Sequence, residues 1–225
     1  MIEFGEASFA YGGNIVLRNL SVTLQTGSFH FLTGPSGAGK STFLRLCTAS
    51  LMPNSGFVQL YGRDTRGLTR DEVAALRQRL GVVDQSTQFV DHLTIAENIL
   101  LPVQISHRSQ TATRDDLKDL MDWVEISNIA DALPSQVSGG ELARASLARA
   151  VITAPDIILA DEPTGNVDAD MAERLVQLMV QLNRMGKTFV IATHDLSLVR
   201  LVKSQVETRI LRIKNKTLDL GAMPL

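Results

Sequence analysis

The chain has 225 residues, 44% of them hydrophobic and 20% charged, enough for one large α/β domain with a full core. A formal net charge of -2 and a sequence pI near 6.1 argue against a strongly basic nucleic-acid face, so no nucleic-acid partner is expected. The single cysteine, Cys47, excludes an intrachain disulfide, fits a reducing compartment and reads as a small apolar helix residue. No apolar run approaches the length of a membrane span, and Met1 to Glu6 lack the basic and apolar regions of a signal peptide. The expectation is a cytoplasmic protein without direct membrane insertion, whose association with any membrane runs through a partner.

In chain order, Ile2 to Tyr11 alternates loosely and reads as a strand ending in Tyr11-Gly12-Gly13. Val16 to Leu24 reads as its hairpin partner, and Thr26-Gly27 turns into a short apolar strand over Phe29, Phe31 and Leu32. The stretch Gly34-Pro35-Ser36-Gly37-Ala38-Gly39-Lys40-Ser41-Thr42 follows, and the run Thr42 to Cys47 continues it as a helix. This is G-x-x-x-x-G-K-[ST] in the strand–loop–helix setting that the P-loop pattern requires. Its glycines let backbone N–H groups form an anion-binding nest, and the helix N-terminus adds positive dipole. Lys40 supplies a point charge for the β- and γ-phosphates, and Ser41 a hydroxyl for Mg²⁺.

Phe57 to Tyr61 reads as another strand, and Thr69 with Glu72 as a capping box opening a helix with Val73, Leu76 and Leu80 on one face. Leu80 to Val83 reads as a short buried strand. From Asp84 to about Ala154 the character turns helical: Thr113 is placed to cap a helix whose Leu117, Leu120, Met121 and Val124 share a face, and the polar segment before it reads as a loop. Ser138-Gly139-Gly140-Glu141 opens a further helix. Small residues at a helix N-terminus suit a phosphate, although Ser-Gly-Gly is also an ordinary helix start. One nucleotide rarely needs two cradles, so this one is expected to serve the nucleotide of a second copy.

Ile157 to Ala160 reads as a fully buried strand ending in Asp161 and Glu162. A carboxylate at a strand end next to a P-loop can hold Mg²⁺, and Glu162 is then placed to orient and deprotonate a water attacking the γ-phosphate. The bland alternative for the pair is a solvated strand end. Leu175, Leu178, Met179 and Leu182 line a helix, Thr188 to Ala192 is a buried strand, and Val206 to Ile213 and Thr217 to Leu220 close the chain as strands.

The order Tyr11, Gly34 to Thr42, Gln85, Val137 to Glu141, Leu159 to Pro163, Asp168 and His194 resembles the nucleotide-binding subunit of ABC (ATP-binding cassette) systems over essentially the whole chain. The run Asp161 to Asp168 resembles the subgroup of the cell-division ATPase FtsE, the lipoprotein-release ATPase LolD and the macrolide-exporter ATPase MacB. Phe31 to Gly39 and Leu182 to Lys187 look most like FtsE. The resemblance implies a single cassette with a P-loop α/β core, an antiparallel β-subdomain and a helical subdomain at about residues 86–154. It implies ATP and Mg²⁺ as cofactors and an ATP-dependent homodimer on the cytoplasmic face of the cell membrane. Its implied partner is an integral membrane subunit, FtsX-like, acting on cell-wall hydrolases; the alternative is a LolD- or MacB-type exporter or lipoprotein-release role.

By the same resemblance Tyr11 stacks on adenine, Gln85 contacts Mg²⁺ and water and senses the membrane partner, and His194 reaches the γ-phosphate. Asp168 couples the two sites of the dimer, and Ser138 to Glu141 form the signature that faces the partner's nucleotide. The alternative for Tyr11 is an ordinary strand-end tyrosine. The chain departs from the family at Asp84, where an aromatic is usual, and at Leu142 and Ala143, where glutamines are usual. Phe89, Val90 and Leu93 stand in polar surroundings and read either as part of a groove for a partner helix or as packing beneath the helical subdomain.

Overall fold

The computed structural model describes residues 1–84, 88–105, 114–165 and 167–220. The expectations for Gln85 and for a cap at Thr113 lie outside the described residues. Two sheets carry the fold. In the first, β1 (Ile2–Tyr11) pairs antiparallel with β2 (Asn14–Leu24) on one side and with β4 (Ser55–Leu60) on the other, and β5 (Arg63–Asp64) completes the order β2-β1-β4-β5. Ile2, Phe4, Ala7 and Phe9 of β1 are buried, so only one face of this sheet meets the core.

The second sheet runs β10-β9-β3-β8-β7-β6, with β3 (Phe29–Thr33), β6 (Leu80–Val83), β7 (Ile157–Asp161), β8 (Thr188–Ala192), β9 (Thr208–Lys214) and β10 (Thr217–Leu220). All its pairings are parallel except that of β10 with β9. β3, β7 and β8 are buried along their whole length, which is why β7 and β8 carry continuous apolar runs, Ile157 to Ala160 and Phe189 to Ala192, while β3 also buries His30 between Phe29 and Phe31. Phe29, Phe31, Phe189 and Ile191 face a core shared with α3 (Ile95–Ile105), α4 (Arg114–Trp123), α5 (Gly139–Val151), α6 (Ala169–Arg184) and α7 (Leu196–Lys203). Leu32, Leu159 and Val190 face the opposite core, with α1 (Lys40–Cys47), α2 (Arg70–Arg77) and the first sheet. There Phe4 stacks on Phe43 with ring centroids 4.5 Å apart.

This register positions the site. Leu32 and Asp161 both pair with Ala192, so β3, β7 and β8 end side by side. The residues that follow them emerge along the C-terminal edge of a parallel sheet, where open α/β sheets bind ligands.

Several boundaries differ from the sequence reading. α2 ends at Arg77, so Leu80 does not share its face but opens β6. β6 is an edge strand and leaves Val82 37% exposed, so it is not wholly buried. α1 starts at Lys40, two residues before the expected start, and β9 starts at Thr208, two after. α7 was not expected; Asp195 caps it through Ser197 N and Leu198 N, and Leu198, Val199 and Val202 are buried. Cys47 is buried, and that burial raises its thiol pKa, as an inert core residue requires.

Candidate functional site

The glycine loop is wedged between two strands. Gly39 is the N-cap of α1 at φ 105°, and a Cβ there would lie 2.9 Å from Leu17 Cδ2 and 3.0 Å from Val16 Cγ1, both on β2. At Gly34 a Cβ would come within 2.8 Å of the Ile213 carbonyl on β9. Only glycine tolerates both the backbone and the crowding. Because the cap is glycine, no side chain claims the first N–H groups of α1, and its first turn holds no acidic residue. The helix end therefore keeps its donors and its positive dipole for a bound anion. Lys40 Nζ lies over the loop, donating to Gly34 O at 2.9 Å and Pro35 O at 3.4 Å. Pro35, Ser36 and Gly37 are exposed at the rim, Ala38 N closes the turn onto Pro35 O at 3.1 Å, and Thr42 is buried in α1.

Beside this cradle, Asp161 ends β7 at 9% exposure and accepts a hydrogen bond from the Ser41 side chain. Burial pushes its carboxyl above the usual range; the Glu162 charge adds to that, while the Ser41 hydroxyl and Lys40 oppose it. Two adjacent oxygen ligands, one of them a carboxylate that a positive charge would relieve, suit a hard divalent cation. Among the described residues no group of three or more His, Cys, Asp or Glu could hold a metal.

Glu162 turns sharply off the strand at φ 49° and is held by β8 and the residues that follow it. Its N donates to Ala192 O at 2.8 Å, and its carboxylate accepts from Thr193 Oγ1 at 3.0 Å and His194 N at 3.1 Å. His194 Nδ1 lies 2.7 Å from Oε1. The expected base and the expected switch histidine are thus in direct contact, the Glu162 side chain 9% exposed and the imidazole 74% exposed. Thr193, which the sequence reading passed over, is the buried member of the group.

Tyr11 closes β1 at 44% exposure, edge-on to Phe9 at 4.8 Å, on the same hairpin as Val16 and Leu17. At the far end of the chain's glycine motifs, Ser138 caps α5 in a capping box: its hydroxyl donates to Glu141 Oε2 at 2.7 Å and accepts from Glu141 N at 3.3 Å. The Ser138 hydroxyl, then its N–H, hold the Glu141 carboxyl below its ordinary value. Ser138 and Gly139 are exposed, and Gly140 faces Val167, 3.8 Å from where its Cβ would stand. Asp168 caps α6, accepting from Met171 N at 2.8 Å. Leu142 and Ala143 pack half-buried on the helical core, so apolar residues suit those positions.

A cleft of about 640 Å³ opens beside Ser41 and Asp161, between α1, β6 and the end of α5. Arg45, Arg77, Asp84, Gln88 and Arg149 line it. Arg149 donates to Gln88 O at 2.9 Å and stands 4.7 Å over the Phe89 ring. Phe89 is half-buried and packs on the helical core, which favours the packing reading for it, while the cleft itself remains open next to it. Val90 and Leu93 are half-buried, their backbones tied by the buried Asn98 side chain through Val90 N, Val90 O and Leu93 O.

A glycine cradle, an oxygen pair for a cation and a clamped carboxylate on one strand edge define a P-loop nucleoside triphosphatase. The ABC transporter family matches residues 17–165, and the chain belongs to that family. The cell division ATP-binding protein FtsE of Escherichia coli strain K12 is 38% identical over 200 residues, 88% of this chain and 90% of that one. Its counterpart in Bacillus subtilis strain 168 is 33% identical over 207 residues, 92% and 91% of the two chains. A dimeric ATP-binding cassette solved in a post-hydrolysis state bound to ADP and Pi superposes with a TM-score of 0.87 at 31% identity, covering 97% of each chain. This chain is an ATP-binding and ATP-hydrolysing cassette.

Proposed function

We propose that the chain is the cytoplasmic ATPase subunit of an FtsE-type complex, acting as an ATP-closed homodimer on an integral membrane subunit of the FtsX kind. The observation that carries this reading is the run of FtsE relatives, 32% to 38% identical, whose similarity extends over most of both chains. No helix among the described residues is long and apolar enough to cross a membrane, so a membrane role needs a partner. The cleft lined by Arg45, Arg77 and Arg149 is the surface assigned to that partner's cytoplasmic segment. Gln85 is assigned the sensor role between cleft and nucleotide.

In the proposed cycle the P-loop amides and Lys40 hold the β- and γ-phosphates, and Tyr11 stacks on adenine. Ser41 and Asp161, with Gln85, would hold Mg²⁺, which supplies charge neutralisation at the phosphates. Glu162 takes the proton of the attacking water as its oxygen bonds to the γ-phosphorus and the bond to ADP breaks. His194 steadies Glu162 and the γ-phosphate. Ser138 to Glu141 of one copy meet the nucleotide of the other, and Asp168 links the two sites. α5 supports this division: it is anchored near its C-terminal end, where a Cβ on Gly81 would strike the Ala150 carbonyl, so its N-terminus projects roughly 16 Å away.

The test is detergent co-purification of the tagged chain from its own membranes, paired with an ATPase assay. The expected result is one integral membrane protein with a large extracytoplasmic loop and activation of turnover. Recovery of an exporter subunit would move the chain to the LolD or MacB role, and recovery of no membrane protein would contradict the reading.

A further inference from the structure

We propose that Thr193 is a positioning residue for hydrolysis, its buried hydroxyl fixing the Glu162 carboxylate relative to the phosphate cradle. The inference rests on the reading of Glu162 as the base. Three donors converge on that carboxylate: Thr193 Oγ1, His194 N and His194 Nδ1. They are not equivalent. The His194 side chain is 74% exposed and can swing, and His194 N is shared between the two carboxylate oxygens at 3.1 and 3.4 Å. Thr193 is 0% exposed. Its backbone N donates to Leu32 O at 3.0 Å, and its hydroxyl accepts from Asp195 N at 3.0 Å.

A hydroxyl has one hydrogen. With Asp195 N pointing at its lone pair, that hydrogen is left to Glu162 Oε2, 3.0 Å away. The β-branched side chain is stiff about χ1, so the direction does not wander. Glu162 needs such a guide. It sits at φ 49°, where a glutamate is uncommon, and its own carbonyl accepts from Gly165 N at 3.1 Å. Leu32 stands two residues before Gly34 on the strand that feeds the cradle. Thr193 therefore ties the carboxylate and the phosphate loop to one frame. Displacing a reacting group by about 1 Å can cost on the order of a hundredfold in rate.

The experiment is a double-mutant cycle between Thr193→Val and Glu162→Gln, read as kcat, KM and ATP-analogue affinity, with residual turnover followed on radiolabelled ATP. The expected result is a kcat lowered about tenfold or more by Thr193→Val, with KM and analogue affinity within about twofold of wild type, and kcat restored by Thr193→Ser. In the Glu162→Gln background the same substitution should leave residual turnover unchanged, because there is no base left to position. Equal losses in both backgrounds would mean a general structural role and overturn the proposal, as would wild-type kcat in Thr193→Val. If Thr193→Val does not fold, Thr193→Ala, which introduces no new atom, carries the same cycle and the same criteria. Wild-type turnover in Glu162→Gln would instead remove the base assignment itself, a separate failure.

Discussion

Two helix N-termini in this chain open on glycine-rich sequence, and they are built in opposite ways. At α1 the cap is Gly39, at φ 105° and with no room for a Cβ beside Leu17, with no side chain on the first amides and no acid in the first turn. At α5 the cap is Ser138, and Glu141 closes a reciprocal capping box over the same kind of amides. The first end is kept open for an anion at a conformational cost. The second has Ser138 N, the Ser138 hydroxyl and Glu141 N engaged within its own chain, so a phosphate arriving there has to compete with Glu141 for the Ser138 hydroxyl. An open site suits a resident nucleotide, and a self-closed one suits a contact made and broken once per cycle.

The largest expected effect lies beside the open end. Glu162→Gln removes the base but no phosphate ligand, so turnover should fall by about 10²–10⁴ in a phosphate-release assay while ATP-bound dimers accumulate. Unchanged turnover would show that the carboxylate is not the base. Next, Lys40→Ala removes a charge-assisted contact worth about 1.5–3 kcal/mol, or roughly 10- to 150-fold in affinity. Titration with a fluorescent ATP analogue reads this directly, and wild-type affinity would remove the cradle at α1.

A glycine pair sharpens the comparison further. Gly39→Ala puts a Cβ 2.9 Å from Leu17 Cδ2 at a positive φ and should lower stability by about 1–3 kcal/mol, with weaker ATP binding. Gly140→Ala meets only Val167 at 3.8 Å, within a helix, and should leave the monomer as stable or up to about 1 kcal/mol more so. Thermal melts of the two variants check this; similar losses at both would erase the distinction. The smallest loss of stability is expected at Glu141. Glu141→Ala should cost about 0.5–2 kcal/mol of capping and leave own-chain ATP binding intact. Because the folded state lowers the Glu141 pKa, that stabilisation is present above the ordinary glutamate value and is lost as pH falls through the lowered one. Melts of wild type and Glu141→Ala should therefore converge in acid.

Much of the first site was legible because its signals are local. Apolar Phe29, Phe31 and Leu32, the glycines and Lys40 follow one another in sequence, so strand, loop and helix start are read from one stretch. Asp161 and Glu162 were legible for the same reason, at the end of an unbroken apolar strand. The second site was half legible. The sequence reading saw a helix start suited to a phosphate, but not that Ser138 and Glu141 close a capping box there. What escaped was non-local. The order β3-β8-β7 joins strands far apart in sequence and is set by packing of both sheet faces; β7 beside β8 brings Thr193 to Glu162, and β3 beside β8 brings it to the Leu32 carbonyl. α7 escaped because its stripe is short, although Asp195 at its start was a usable signal.

The central claim is that the open end at α1 serves its own nucleotide and the closed end at α5 serves another copy's. Ser138→Arg in the Glu162→Gln background tests it most directly, by sedimentation with ATP alongside analogue binding to the monomer. The account predicts wild-type monomer affinity and no ATP-dependent dimer. Equal loss of binding and dimerisation would mean that α5 serves its own chain's nucleotide, and would contradict the account.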